Sequence, residues 1–122
     1  MKTNNAQEGR DGQRQAAKFL MSKGMEILVA NFHIRSAEID LIVRDPACGY
    51  IVFVEVKCRR GTQYGLPREA VNFPKQQRIR RAAGAYIARH FPKAPDQNFR
   101  FDVVEVLHKG GKWWANHIEN AF

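Results

Sequence analysis

Residues 37–60 read AEIDLIVRDPACGYIVFVEVKCRR. Two apolar runs lie in this stretch, and each carries charges spaced two apart: Glu38 and Asp40 in the first, Glu55 and Lys57 in the second. Val, Ile and Phe favour strands, while Asp45-Pro46-Ala47-Cys48-Gly49 has the composition of a turn. Residues two apart in a strand share a face. Glu38 with Asp40, and Glu55 with Lys57, are therefore expected on one side of a hairpin. Three carboxylates and an amine at the edge of an apolar sheet are costly to desolvate, and such a cluster calls for a metal ion, a substrate or dense pairing.

Working outward, the strands are expected at about 37–44 and 50–57, preceded by a strand over 25–32 (MEILVANF) and a turn near Arg35-Ser36. Upstream, Gln13, Ala16, Ala17 and Leu20 fall at the spacing of one helical face, which predicts a helix from about Glu8 to Lys23 that Gly24 ends. Residues 1–7 are read as a flexible tail and 8–122 as a single domain. Downstream of the charged strands, Ile79, Ala82, Ala83, Tyr86 and Ile87 mark the buried stripe of a helix over 75–90, stopped by Pro92 and Pro95. Strands over 99–107 and 112–118 follow, joined by Lys109-Gly110-Gly111. Short turns imply antiparallel pairing, and the strand–helix–strand passage implies a parallel crossover. The fold class is α/β, an αβββαβ core with a mixed sheet flanked by helices.

Among 122 residues no apolar run approaches the length of a membrane span, and the polar start MKTNNAQEGRDGQ lacks a signal core. Cys48 and Cys58 form neither a disulfide framework nor a zinc pattern. These features lead to the expectation of a reduced, cytoplasmic protein with no membrane partner. The net charge of +8 is localised: residues 57–93 hold ten Lys or Arg against the single acid Glu69. A concentrated basic surface suits a polyanion, although it also serves as a solvated face.

The spacing supports one chemistry in particular. Mg²⁺ takes oxygen ligands, commonly one or two carboxylates with water and phosphate completing the shell. Asp40 and Glu55, on adjacent strands, are the candidate ligands for Mg²⁺ or Mn²⁺ in phosphodiester hydrolysis. Lys57 is placed to orient or deprotonate a water or to neutralise the transition state, and Glu38 to hold a water beyond the metal.

The D-x14-E-x-K pattern of Asp40, Glu55 and Lys57, with the αβββαβ order, resembles the PD-(D/E)xK nuclease superfamily. More specifically, GRDGQRQAAKFL (9–20), NFHIRSAEIDLI (31–42), IVFVEVKCRRGTQYG (51–65), RFDVVEV (100–106) and HIENAF (117–122) are similar to the uncharacterised bacterial YraN-type (UPF0102) endonuclease-like family. The resemblance implies a restriction endonuclease-like fold, with Asp40, Glu55 and Lys57 at the catalytic positions. Members of that superfamily commonly act as dimers, so it extends to a homodimer. Two departures stand out. The family's first-helix glutamate is here Gln13, which carries no charge, and its Gly-Glu-Ile-Asp is Ala37-Glu38-Ile39-Asp40.

Beside the site, Arg59, Arg60, Arg68, Lys75, Arg78 and Arg81 are the expected nucleic-acid contacts, to DNA before RNA. Asp102 and Glu105 are expected to pair with nearby arginines, the four histidines to be surface or packing residues, and Trp113 and Trp114 to point to opposite faces. Cys58, next to Lys57, is expected to face away from the site. Three functions remain open: a metal-dependent nuclease, a nucleic-acid-binding module of the same fold without efficient chemistry, and a basic domain for an acidic protein partner.

Overall fold

The structure, a computed structural model, describes residues 5–59 and 71–122. Its elements run α1 (Asn5–Ser22), β1 (Glu26–Ile34), β2 (Ala37–Asp45), β3 (Tyr50–Arg59), α2 (Phe73–His90), β4 (Phe99–Lys109) and β5 (Lys112–Ile118). The expected order is therefore observed, with α1 starting at Asn5 and β3 running two residues past Lys57. One sheet holds the strands in the order β1-β2-β3-β4-β5. Neighbours pair antiparallel except β3 with β4, which run parallel, as the intervening α2 requires. Among the described residues no helix is long and apolar enough to cross a membrane.

Period-two alternation along β3 divides the core into two layers. Ile51 and Phe53 pack with Ile79, Ala82, Ala83 and Tyr86 of α2, whereas Val52 and Val54 pack with Ala16 and Leu20 of α1. Each helix covers one face. At the start of α2 the Asn72 side chain accepts from the Lys75 backbone N–H at 3.0 Å, and Pro74 occupies the first turn, where a missing N–H costs nothing. At the other end the Phe91 N–H closes onto the Ile87 carbonyl.

One buried charge in the sheet, that of Asp102, is matched by dense pairing. Asp102, fully buried, accepts from Arg100 through both oxygens (2.9 and 3.0 Å), from His117 Nε2 at 2.7 Å and from the Asn120 N–H at 2.9 Å. Burial pushes its carboxyl up, but the hydrogen bonds from His117, Arg100 and Asn120 outweigh that and hold it below the usual range. Lys23 Nζ lies 2.7 Å from His117 Nδ1. An ammonium only donates, so Nδ1 accepts and the ring proton sits on Nε2, directed at Asp102. His117 thus ties the end of α1 to β4 and β5, a larger role than packing.

α1 approaches β3 closely at Gly12. A Cβ at that position would run into Cys58 Sγ and meet Val106 Cγ2 at 3.2 Å. Gly12→Ala is expected to lower stability by about 1–3 kcal/mol through overpacking, against the helix-propensity gain of ~1 kcal/mol. Urea unfolding of Gly12→Ala beside Gly12→Ala/Cys58→Ala checks the cause: the second variant should recover most of the loss.

Candidate active site

The alternation that orders β3 breaks in β2. Leu41 and Val43 pack on the α1 side and Ile42 on the α2 side, yet Ile39, two residues before Leu41, also packs on the α2 side. The reversal falls at Asp40. Across from it, Asn31 lies between Ala30, which pairs with Leu41, and Phe32, which pairs with Ile39. Asn31 holds a left-handed φ of 57°, a conformation that asparagine tolerates better than most residues. The β2–β3 ladder stops at Leu41↔Val54. Past that point the Val56 N–H donates to Asp40 Oδ2 at 2.8 Å, so a side chain takes over where the strand ladder ends.

This parting brings the sequence candidates together. Glu55 follows Phe53 onto the α2 face, where its Oε1 lies 3.6 Å from Lys75 Nζ. Burial pushes Glu55 up to about 7, the Asp40 charge adds to the rise, and Lys75 and Lys57 oppose it. Asp40 is raised too, by burial first and by Glu38 as a neighbouring carboxylate, against the Val56 hydrogen bond, Lys75 and Lys57. Both acids are thus short of positive charge, even though two lysines stand beside them.

On the α1 side a cleft of about 560 Å³ is lined by Gln13, Asn31, Glu38, Asp40, Val56 and Cys58, among others. Gln13 therefore faces the site, as its place on the helix stripe suggested. Cys58 does lie on the face opposite Lys57, but that face carries the cleft, so the expectation that it stands apart is corrected. Burial and the Asp40 and Glu8 carboxylates push its thiol up, which keeps it protonated and poorly nucleophilic. Arg10 and Arg14 of α1 also line this cleft. Sequence reading missed them because they lie outside the basic run at 57–93; the helical stripe through Gln13 was the signal that placed their turn here. A second, shallower cleft on the α2 side joins Arg35, Glu38, Lys75 and Arg78, so Glu38 borders both.

The expected phosphate contacts divide. Lys75 and Arg78 border the site, and Arg81, exposed, reaches Ser36 Oγ at 3.5 Å. Arg60 and Arg68 lie outside the described residues. Arg59 is turned inward: its Nε is 2.6 Å from Oε2 of Glu105, which is fully buried. A guanidinium committed to a buried carboxylate is not free for phosphate, so its assignment as a nucleic-acid contact is corrected. Arg80 and Arg89 lie over the Phe101 and Phe32 rings at 4.7 and 5.9 Å.

Asp40 and Glu55 offer hard oxygen donors from neighbouring strands. Among the described residues no group of three or more His, Cys, Asp or Glu converges as a metal site. A two-carboxylate set, with water and phosphate filling the remaining positions, suits Mg²⁺ or Mn²⁺ rather than zinc or an all-protein calcium cage. The destabilisation of the two carboxylates by burial, and of Glu55 by the Asp40 charge as well, is what a divalent cation would relieve.

A small mixed α/β domain with a carboxylate pair and lysines where two strands part defines the class of the chain. The chain belongs to the uncharacterised protein family UPF0102, whose sequence profile matches residues 12–106. A UPF0102 protein of Symbiobacterium thermophilum is 47% identical over 115 residues, covering 93% of this chain and 94% of its own. One from Nocardia farcinica is 48% identical, covering 93% and 87%. One from Caldicellulosiruptor bescii is 45% identical, covering 95% and 97%.

Two outcomes follow. Arg59→Ala strands Glu105 as a buried charge and is expected to cost about 3–5 kcal/mol, while Lys57→Ala, at a half-buried site, costs less than about 1 kcal/mol; chemical denaturation of both measures the contrast. Glu55 binds more protons folded than unfolded between its ordinary 4.5 and about 7. In chelator, the Glu55 contribution to stability should therefore be full below that window and fall by on the order of 3 kcal/mol as pH rises through it, and Glu55→Gln should flatten the slope.

Proposed function

We propose that this protein is a Mg²⁺- or Mn²⁺-dependent nuclease that hydrolyses phosphodiester bonds in DNA or structured nucleic acid. The observation that carries the reading is the under-compensated pair Asp40–Glu55 beside Lys57, at a sheet end bordered by cations from both helices. The αβββαβ order and the Asp40, Glu55, Lys57 spacing, which resemble restriction endonuclease-like enzymes, support it further.

Asp40 and Glu55 would hold a divalent cation, which when bound would supply Lewis acidity toward the phosphate and acidify a water. The residues of the chain do the remaining work. Asp40 is oriented by the Val56 N–H, which fixes Oδ2 and leaves Oδ1 for the site. Glu55 is held within β3 as the last of five consecutive buried residues. Lys57 directs the attacking water or neutralises charge growing on the phosphate oxygens. Arg10 and Arg14 on one side, with Lys75 and Arg78 on the other, hold the nucleic-acid backbone on either side of the scissile bond.

A second reading is favoured by Gln13, an amide at the position where the related pattern has a glutamate. It makes the protein a nucleic-acid-binding module of the same fold with weak or absent chemistry.

Incubation with branched, single-stranded and duplex DNA and RNA in Mg²⁺ or Mn²⁺ separates the two. Asp40→Asn, Glu55→Gln and Lys57→Met are each expected to slow cleavage by at least about 100-fold. Arg10→Ala and Arg14→Ala should each reduce the salt dependence of binding by about one unit of slope. Cleavage that survives both Asp40→Asn and Lys57→Met sinks the nuclease site. Salt-sensitive binding with no cleavage, converted to cleavage by Gln13→Glu, locates the deficit in the first helix.

A further inference from the structure

Lys75 occupies an unusual place for a lysine. It lies in the first turn of α2, where the helix end carries partial positive charge and the adjacent Asn72 already caps the backbone. No acidic residue shares that turn. A cation is unfavourable there unless something outside the helix compensates it. The compensation comes from the sheet: Nζ is 3.6 Å from Glu55 Oε1, and the ammonium also acts on Asp40. The contact is loose. At 3.6 Å it is longer than a well-formed charge-assisted hydrogen bond, and the lysine side chain is 35% exposed on a flexible stem, against 8% for Glu55.

We propose that Lys75 is a resident counter-ion of the Asp40–Glu55 pair, which an incoming divalent cation displaces and which then engages the backbone phosphate of the nucleic acid. This rests on the metal-dependent reading above and deepens it. Before metal binds, the ammonium supplies part of the positive charge that the buried carboxylates lack. A divalent cation held by Asp40 and Glu55 would repel it. The stem lets Nζ swing into the shallow cleft that Lys75 shares with Arg78 and Arg35, where a phosphate would find two guanidinium groups as well. One lysine thereby links occupancy of the metal site to capture of the substrate backbone. A lysine that served only as a phosphate contact would have no reason to lie against a buried glutamate.

The two roles give opposite signs on substitution. Mn²⁺ titrations of the full chain, read by calorimetry or by electron paramagnetic resonance of the free ion, compare the wild type with Lys75→Met and Lys75→Arg. Lys75→Met is expected to bind Mn²⁺ on the order of tenfold more tightly, because a charge competing for the same carboxylates is gone. In a separate titration without metal, the same variant should bind nucleic acid no more tightly than wild type; with Mn²⁺ present it should bind more weakly. Lys75→Arg, which keeps the charge, should bind Mn²⁺ within about threefold of wild type and shows whether a folding defect in Lys75→Met confuses the comparison. Equal or weaker Mn²⁺ binding by Lys75→Met overturns the counter-ion role while leaving the nuclease reading in place. Mn²⁺ binding by neither protein overturns both.

Discussion

The structure depends on the loss of one backbone ladder. β2 and β3 pair from Asp45↔Tyr50 to Leu41↔Val54 and then separate, and the Val56 N–H is met by a carboxylate of β2 in place of a carbonyl. A buried amide left without a partner at this depth would cost about 1–3 kcal/mol, so the Asp40 side chain holds the gap open as well as populating it. The consequences spread from there. Glu55 and Lys57 continue on the α2 face, Val56 and Cys58 on the α1 face, and Asp40 stands at the boundary where it acts on both. A continuous ladder would have paired these residues across a closed sheet and left no room between the strands.

The same sheet shows two ways of treating buried acid. Asp102 receives four hydrogen bonds and its carboxyl lies below the usual range. Asp40 and Glu55, a few residues away along neighbouring strands, are raised. The fold is therefore able to satisfy a buried carboxylate where structure alone is at stake. That it leaves the Asp40–Glu55 pair short of positive charge sets the pair apart from Asp102, and is the physical basis for regarding it as a site.

Much of this was legible in residue order. Strand composition, period-two charges and the helix stripes located each element of the described residues to within a few residues, because each of those signals is local. Asp40, Glu55 and Lys57 were grouped on the same local spacing, whereas Gln13 joined them only through the family resemblance. What the chain order concealed was long-range. Arg59 reads like any other member of the basic run, and only the fold reveals Glu105, 46 positions on, as its partner. The reversal of facing at Asp40 depends on the left-handed Asn31 in a different strand, which composition does not announce. Arg10 and Arg14 were hidden by a charge tally that averaged them with the acids of their own segment. The cleft they border exists only once α1 is laid across the sheet.

The way α1 is laid down has a consequence of its own. Gly12 sits against Cys58 and Val106 with no space for a side chain, so the helix rests on the sheet backbone-close at that point. Its immediate neighbour, Gln13, is therefore carried one residue from that close contact. The contact that brings α1 close to the sheet is made at Gly12 and does not involve the tip of Gln13. Chemistry at that tip can accordingly change from amide to carboxylate by a single substitution while the surrounding framework keeps its shape. Position and reactivity at this corner of the molecule are free to evolve separately.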